Sequence, residues 1–214
     1  MKDVIIILGS AILVVFCITA AYTIISSPQY TISDKALAYN NDPIQKQISD
    51  ASLIGIELSD QSYSLKPLAE YNITAYLVSK RRYRRGFMSK LSPWDYALAW
   101  GEVPNHLEHI KFDQIVRFCL YQYKAGAPID ETYIAQHMAN THLIPATDNI
   151  RKALAKANKG DIVNLKGILV NVRASSSKGQ SSSWNSSTSR DDLGNGACEI
   201  LYVQSLQIAD RMYK

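Results

Sequence analysis

Residues 71–84 read "YNITAYLVSKRRYR". Tyr71, Ile73, Ala75 and Leu77 fall on one side at a period of two, and Asn72, Thr74, Tyr76 and Val78 on the other, as in a β-strand with a buried face. Carried further, Lys80, Arg82 and Arg84 share one face while Arg81, Tyr83 and Arg85 share the opposite one. Charge on both sides is hard to bury, so the end of this strand is expected to leave the sheet within reach of a partner. Guanidinium groups grip phosphate or carboxylate in bidentate fashion, and Tyr83 can stack on a ring. The competing reading is a solvated strand end whose charges discourage edge-to-edge pairing.

Towards the C-terminus, "DIVNLKGILVNVR" (161–173) and "ACEILYVQSLQI" (197–208) read as two long strands. Gly167 inside the first marks a bend where a small barrel closes. Between them runs a serine-rich stretch read as a loop, with Trp184 in its middle as an exposed aromatic contact or the loop's own anchor. "SPWDYALAWG" (92–101) carries helix punctuation: Ser92 as cap, Pro93 at the first position, Asp95 favouring the N-terminal dipole, Gly101 as stop. "TDNIRKALAKANKG" (147–160) has a cap, an apolar stripe of Ile150, Leu154 and Ala157, and a terminating Gly160. "IDETYIAQHMANTHLIPA" (129–146) begins as a short helix and turns extended before Pro145. Residues 110–123 are β-favouring and read as strand.

At the other end, Val4–Ile25 contains no charge, and at about 1.5 Å per residue it spans a ~30 Å hydrocarbon core. It is read as a transmembrane anchor, integral in the membrane over residues 4–25. The sparse charges around it favour an inside N-terminus. Domains are therefore expected as 1–25 anchor, 26–50 stalk and 51–214 an exported globular domain. The expected fold class is α+β: the N-terminal transmembrane helix, then a mainly antiparallel β domain, an OB-like small barrel, with two or three short helices. The net charge of +4 over 214 residues does not by itself indicate a nucleic-acid binder; nucleic acid enters as a partner only for a cytoplasmic domain.

The segments "SKRRYR", "LSPWDYALAWG", "NTHLIPA", "KGDIVNLKGILV" and "SSTSRDDLGNGACEILYV" resemble a family of small bacterial single-pass inner-membrane proteins with an exported α+β domain. The resemblance implies an inner-membrane protein whose domain faces the periplasm, and it brings no activity or catalytic residues with it. The serine insertion around Ser175–Ser183 departs from the family pattern.

Two functional readings follow. In the first, a non-enzymatic envelope protein binds another envelope protein or an anionic polymer through Lys80, Arg81, Arg82, Tyr83, Arg84, Arg85, Trp184 and Arg190. In the second, a hydrolase uses Cys198 or Ser189 as nucleophile with His137 or His142 as base, which requires the fold to bring a histidine nitrogen within hydrogen-bond reach of the nucleophile. The pairs His106/His109 and His137/His142 lack the third ligand of a metal site, so no metal and no cofactor are expected. Cys119 and Cys198 fit either one disulfide or two buried small side chains.

Overall fold

The computed structural model describes residues 27–189 and 197–214. Its strands are β1 (Thr31–Ile32), β2 (Ile44–Gln47), β3 (Ile54–Leu58), β4 (Gln61–Arg82), β5 (Trp94–Ala99), β6 (Ile110–Ile115), β7 (Phe118–Tyr123), β8 (Met138–Pro145), β9 (Ile162–Ser176), β10 (Ser181–Trp184), β11 (Glu199–Ile208) and β12 (Arg211–Tyr213). The helices are α1 (Glu131–Gln136) and α2 (Asp148–Lys156), with a single 3-10 turn at Val103–His106.

Half of the described residues are strand (50%) and 10% are helical, which corrects the α+β expectation to mainly β. The largest single difference is residues 92–101. Despite its helix punctuation, Trp94–Ala99 is a strand paired on both sides, with β4 and with β8. Asp95 through Ala99 are all buried. Pairing on both edges and burial on both faces outweigh local capping signals, whose worth is about 1 kcal/mol. Part of the serine-rich loop is strand as well, because β9 runs on to Ser176 and turns back as β10.

The single-pass inner-membrane placement with a periplasmic domain is also corrected. Among the described residues no helix is long and apolar enough to cross a membrane. The longer of the two helices has 9 residues, about 14 Å of rise against a ~30 Å hydrocarbon core. Residues 4–25, on which that expectation rested, lie outside the described residues.

Strand β4 organises the sheet. Its 22 residues pair with β9 along most of their length and with β2, β3 and β5 on the other edge. Bulges at Pro67/Ala69 and Leu77/Ser79 bend it, as bulges do. Because β9 pairs with both β4 and β11, the path β4–β5–β8–β11–β9 closes on itself; only β8–β11 is parallel. Counted along the chain, the barrel strands lie in the order 1-2-3-5-4, a five-stranded Greek-key barrel. Gly167 sits at the closure: a Cβ there would come 1.9 Å from the Tyr202 carbonyl oxygen of β11.

Inside are Ile73, Leu77, Tyr96, Leu98, Leu143, Leu165, Leu169 and Leu201, with Ile150, Ala153 and Leu154 of α2 packed into the same core. Lys80 Nζ donates to the carbonyls of Ala155 (2.9 Å) and Ala157 (2.6 Å), closing the C-terminus of α2. Outside the barrel wall lie two further apolar clusters. One holds Val78, Ala97, Ala99, Ile110 and Ile134 beneath the β6–β7 hairpin; the other holds Leu65, Leu91, Ile144, Val172 and Ile200.

Candidate functional site

Alternation along β8 puts Asn140, His142 and Ile144 on the outer face of the wall, between those two clusters. In register beside them, Asp95 of β5 lies opposite His142, and Ala97 opposite Asn140. On the other flank Ile200 of β11 is in register with His142, which brings Cys198, two residues earlier, alongside Asn140. Three separate strands thus place a carboxylate, an imidazole, a carboxamide and a thiol on one patch.

Asp95 is fully buried, at 0% exposure. Its Oδ1 accepts from Arg117 Nη1 at 2.6 Å and lies 3.0 Å from His142 Nδ1. The imidazole approaches the carboxylate at ion-pair distance without the alignment of a full hydrogen bond, and Oδ2 of Asp95 has no partner. His142 is itself 7% exposed. Burial pulls its pKa down, but the close approach of Asp95 and the influence of Cys198 together outweigh this and hold it up at about 9. Trp184 of β10 covers the ring at a centroid distance of 4.8 Å, tilted by 31°.

The Cys198 thiol lies 3.6 Å from Asn140 Nδ2 and 3.9 Å from the Arg117 carbonyl oxygen, and it helps to raise the His142 pKa. The second cysteine, Cys119 on β7, is close enough to sense the charge of Cys198; burial chiefly pushes its pKa up to about 12. Both cysteines are free thiols.

Arg117 reaches this patch from the tip of the β6–β7 hairpin. Val116 and Arg117 both adopt the left-handed region, at φ 47° and 71°, in the two-residue turn that usually takes Asn-Gly. For L side chains this costs roughly 1 kcal/mol or more per residue. The tip is held by a dense set of contacts. Arg117 Nη2 donates to the Ser92 carbonyl at 2.9 Å, and its backbone N–H donates to Tyr83 Oη at 3.0 Å. Its guanidinium lies 3.7 Å from the Tyr83 ring and 5.1 Å from the Trp184 ring. Its carbonyl accepts from Asn140 Nδ2 at 2.8 Å, and Asn140 Oδ1 accepts from Gln114 Nε2 at 2.8 Å.

The chain matches no family model, no curated protein and no solved structure. Its functional reading therefore rests on this geometry.

The residues singled out in the sequence fall in several places. Lys80 is half-buried, bonded to α2 and 4.3 Å above the Trp94 ring; burial lowers its pKa to about 8. Arg81 donates to the Gln114 carbonyl, and Arg82 sits 5.3 Å from the Trp94 ring. Arg84 and Arg85 are exposed beyond the end of β4. Tyr83 and Trp184 belong to the Cys198 patch, whereas Arg190 lies outside the described residues.

Of the hydrolase residues, His142 and Cys198 fall on one patch, where strand register sets Cys198 beside Asn140, two residues before His142. His137 instead stacks on Tyr133 at 3.7 Å, with Nε2 3.6 Å from Asp42, at the end of α1. Ser189 hydrogen-bonds within its own loop, to Ser187. His109 pairs with its neighbour Glu108 at 3.3 Å. Among the described residues no group of three or more His, Cys, Asp or Glu side chains is arranged to hold a metal ion.

Asp95, Arg117 and Asn140 escaped the sequence reading. Asp95 was assigned to a helix dipole; read as strand, the same residues would have set a carboxylate in line with Ala97 and Ala99 on a buried face. No local signal marks Arg117 or Asn140, since their roles depend on how the hairpin folds over the barrel.

Proposed function

We propose that the protein is a cysteine-dependent acyl-transfer enzyme, a hydrolase in its simplest form, with Cys198 as nucleophile, His142 as proton carrier and Asp95 orienting the imidazole. The observation that supports it is a buried His142 imidazole lying 3.0 Å from the fully buried Asp95 carboxylate, on the same patch as the Cys198 thiol that Asn140 touches at 3.6 Å. Nucleophile, base and orienting group in that sequence of contacts are the working parts of thiol acyl transfer. Asp95 engages Nδ1, fixes the ring and favours its charged form, the form that hands a proton to a leaving group. Trp184 shields the other side from water.

The test is acetylation of the full chain by p-nitrophenyl acetate, followed by peptide mapping. An acetyl group on Cys198, absent from Cys198→Ala and formed about 10²-fold more slowly by His142→Ala, is the expected result. Failure to acetylate Cys198, or equal rates with and without His142, overturns the reading.

A second reading, binding of an anionic polymer, is favoured by one observation. Exposed Arg82 ends β4 and exposed Arg84 and Arg85 follow it, and Tyr83 of that run bonds the tip of a hairpin with exposed Ile115, Val116 and Phe118. Salt-dependent retention on heparin, lost in an Arg84→Ala/Arg85→Ala double variant, is its test; retention unchanged by the substitutions sinks it.

A further inference from the structure

Two donors converge on one oxygen beside the candidate nucleophile. The side-chain amide of Asn140 donates to the Arg117 carbonyl at 2.8 Å, and the Cys198 thiol points at the same oxygen from 3.9 Å. Asn140 Nδ2 is also 3.6 Å from Cys198 Sγ, so amide, thiol and carbonyl oxygen form a tight triangle. Asn140 is 6% exposed and its orientation is set from behind, where Oδ1 accepts from Gln114 Nε2 at 2.8 Å. The carbonyl that completes the triangle belongs to a turn held in left-handed geometry at two non-glycine residues. Such strain persists where surrounding contacts over-determine the backbone, and it gathers at functional sites.

We propose that Asn140 is the oxyanion-stabilising residue of the Cys198 reaction, and that the Arg117 carbonyl stands in the resting protein where the carbonyl oxygen of a carboxylic ester, thioester or amide substrate binds. This rests on the acyl-transfer reading above and extends it to the substrate's chemical class. In the reaction the Cys198 thiol passes its proton to neutral His142 and its sulfur forms a bond to the acyl carbon, while the carbonyl π pair moves onto oxygen, which accepts a hydrogen bond from the Asn140 Nδ2–H. Collapse restores the carbonyl, breaks the bond to the leaving group and delivers the His142 proton to that group. Water then attacks the thioester, gives a proton to His142, and releases the acid and the thiol. Substrate entry on this proposal requires the hairpin tip to withdraw; the tip belongs to the β6–β7 pair, a sheet separate from the barrel.

The experiment compares two reactions of the full chain at Cys198. Acetylation by p-nitrophenyl acetate passes through an oxyanion; alkylation by iodoacetamide displaces iodide at a saturated carbon and does not. Asn140→Ala is expected to slow acetylation roughly 10²-fold while alkylation stays within about twofold. Asn140→Asp, which keeps the shape and the acceptor for Gln114 but, once ionised, has no N–H to donate, is the companion variant should Asn140→Ala fail to fold. Equal loss in both reactions would mean that Asn140 only positions the thiol, and no loss in either would mean that it plays no part; each overturns the proposal. Wild-type protein that alkylates at Cys198 but never acetylates there overturns the acyl-transfer reading itself, a failure distinct from the other two.

Discussion

Replacing Asp95 by Asn removes one negative charge that two cations share, and the structure says how much that is worth and at which pH. Arg117 and His142 both face Asp95 Oδ1, at 2.6 Å and 3.0 Å, with side-chain exposures of 17% and 9%. In the folded protein His142 titrates at about 9 instead of 6.5, against the pull of burial and through Asp95 first and Cys198 second; the net shift is worth about 3 kcal/mol at ~1.4 kcal/mol per pH unit. A group whose pKa rises on folding binds protons more tightly in the native state. Its stabilisation is complete below pH 6.5 and is lost as pH climbs through 9. The Arg117 bond adds roughly 1.5–3 kcal/mol, the range for a hydrogen bond to a charged group, of which Asn retains a part. Asp95→Asn is therefore expected to cost about 3–5 kcal/mol at pH near 6, in line with breaking a buried ion pair by removing one partner. Near pH 10 the cost shrinks to about 2 kcal/mol, because His142 is then neutral in both proteins.

Lys80, whose pKa is lowered by burial to about 8, adds an opposite slope: its contribution favours the native state as pH rises above its folded value. Asp95 does not touch it, so the difference between the two proteins at each pH cancels that contribution. Urea unfolding of wild type and variant at both pH values measures the difference, and the NMR titration of His142 reads the imidazole directly. A cost below about 1 kcal/mol at pH 6, or one that does not change with pH, would refute the shared-carboxylate account.

The other predictions concern the same wall and the barrel beneath it. Iodoacetamide at pH 8 should label Cys198 and spare Cys119, whose pKa is raised to about 12; labelling of both at similar rates, read by peptide mapping, contradicts this. Arg117→Ala should destabilise the hairpin tip and raise the alkylation rate of Cys198, while a lower rate would show that the tip does not stand over the thiol. Gly167→Ala should abolish soluble, folded protein or cost more than about 3 kcal/mol, since the new Cβ would meet backbone 1.9 Å away; a well-folded variant by circular dichroism and urea unfolding would refute the close approach. Lys80→Ala should cost about 1–2 kcal/mol by opening the α2 carbonyls of Ala155 and Ala157, and an unchanged urea midpoint would show that solvent replaces the cap.

What could be read from the chain followed local rules. The two-residue period of residues 71–78 is legible because alternate side chains of a half-buried strand must differ in polarity, and these residues lie within β4. The helix after Pro145 is legible because its cap, stripe and stop act within one segment; Thr147 accepts from the Ile150 N–H at 3.1 Å. Residues 92–101 misled for the same reason. Their capping signals are local, and the forces that make them a strand come from β4 and β8, far away in sequence.

The basic run shows the same division. Its composition is plain in the sequence, yet whether each cation is free was decided by neighbours on α2, β5 and β6. Lys80 is drawn to the carbonyls of α2 and Arg81 to that of Gln114, while Arg84 and Arg85 remain exposed.

The sequence by itself determined the strand period around residue 71, the helix after Pro145 and the presence of a thiol and two candidate bases, because each depends on side chains within a few residues of one another. Only the tertiary structure decided that His142 rather than His137 shares a patch with Cys198, that Asp95 is the imidazole's buried partner, and that Asn140 bridges the thiol and the strained hairpin tip. Those contacts join β5, β8, β11 and the β6–β7 tip, and side chains so far apart along the chain meet only through barrel closure and strand register.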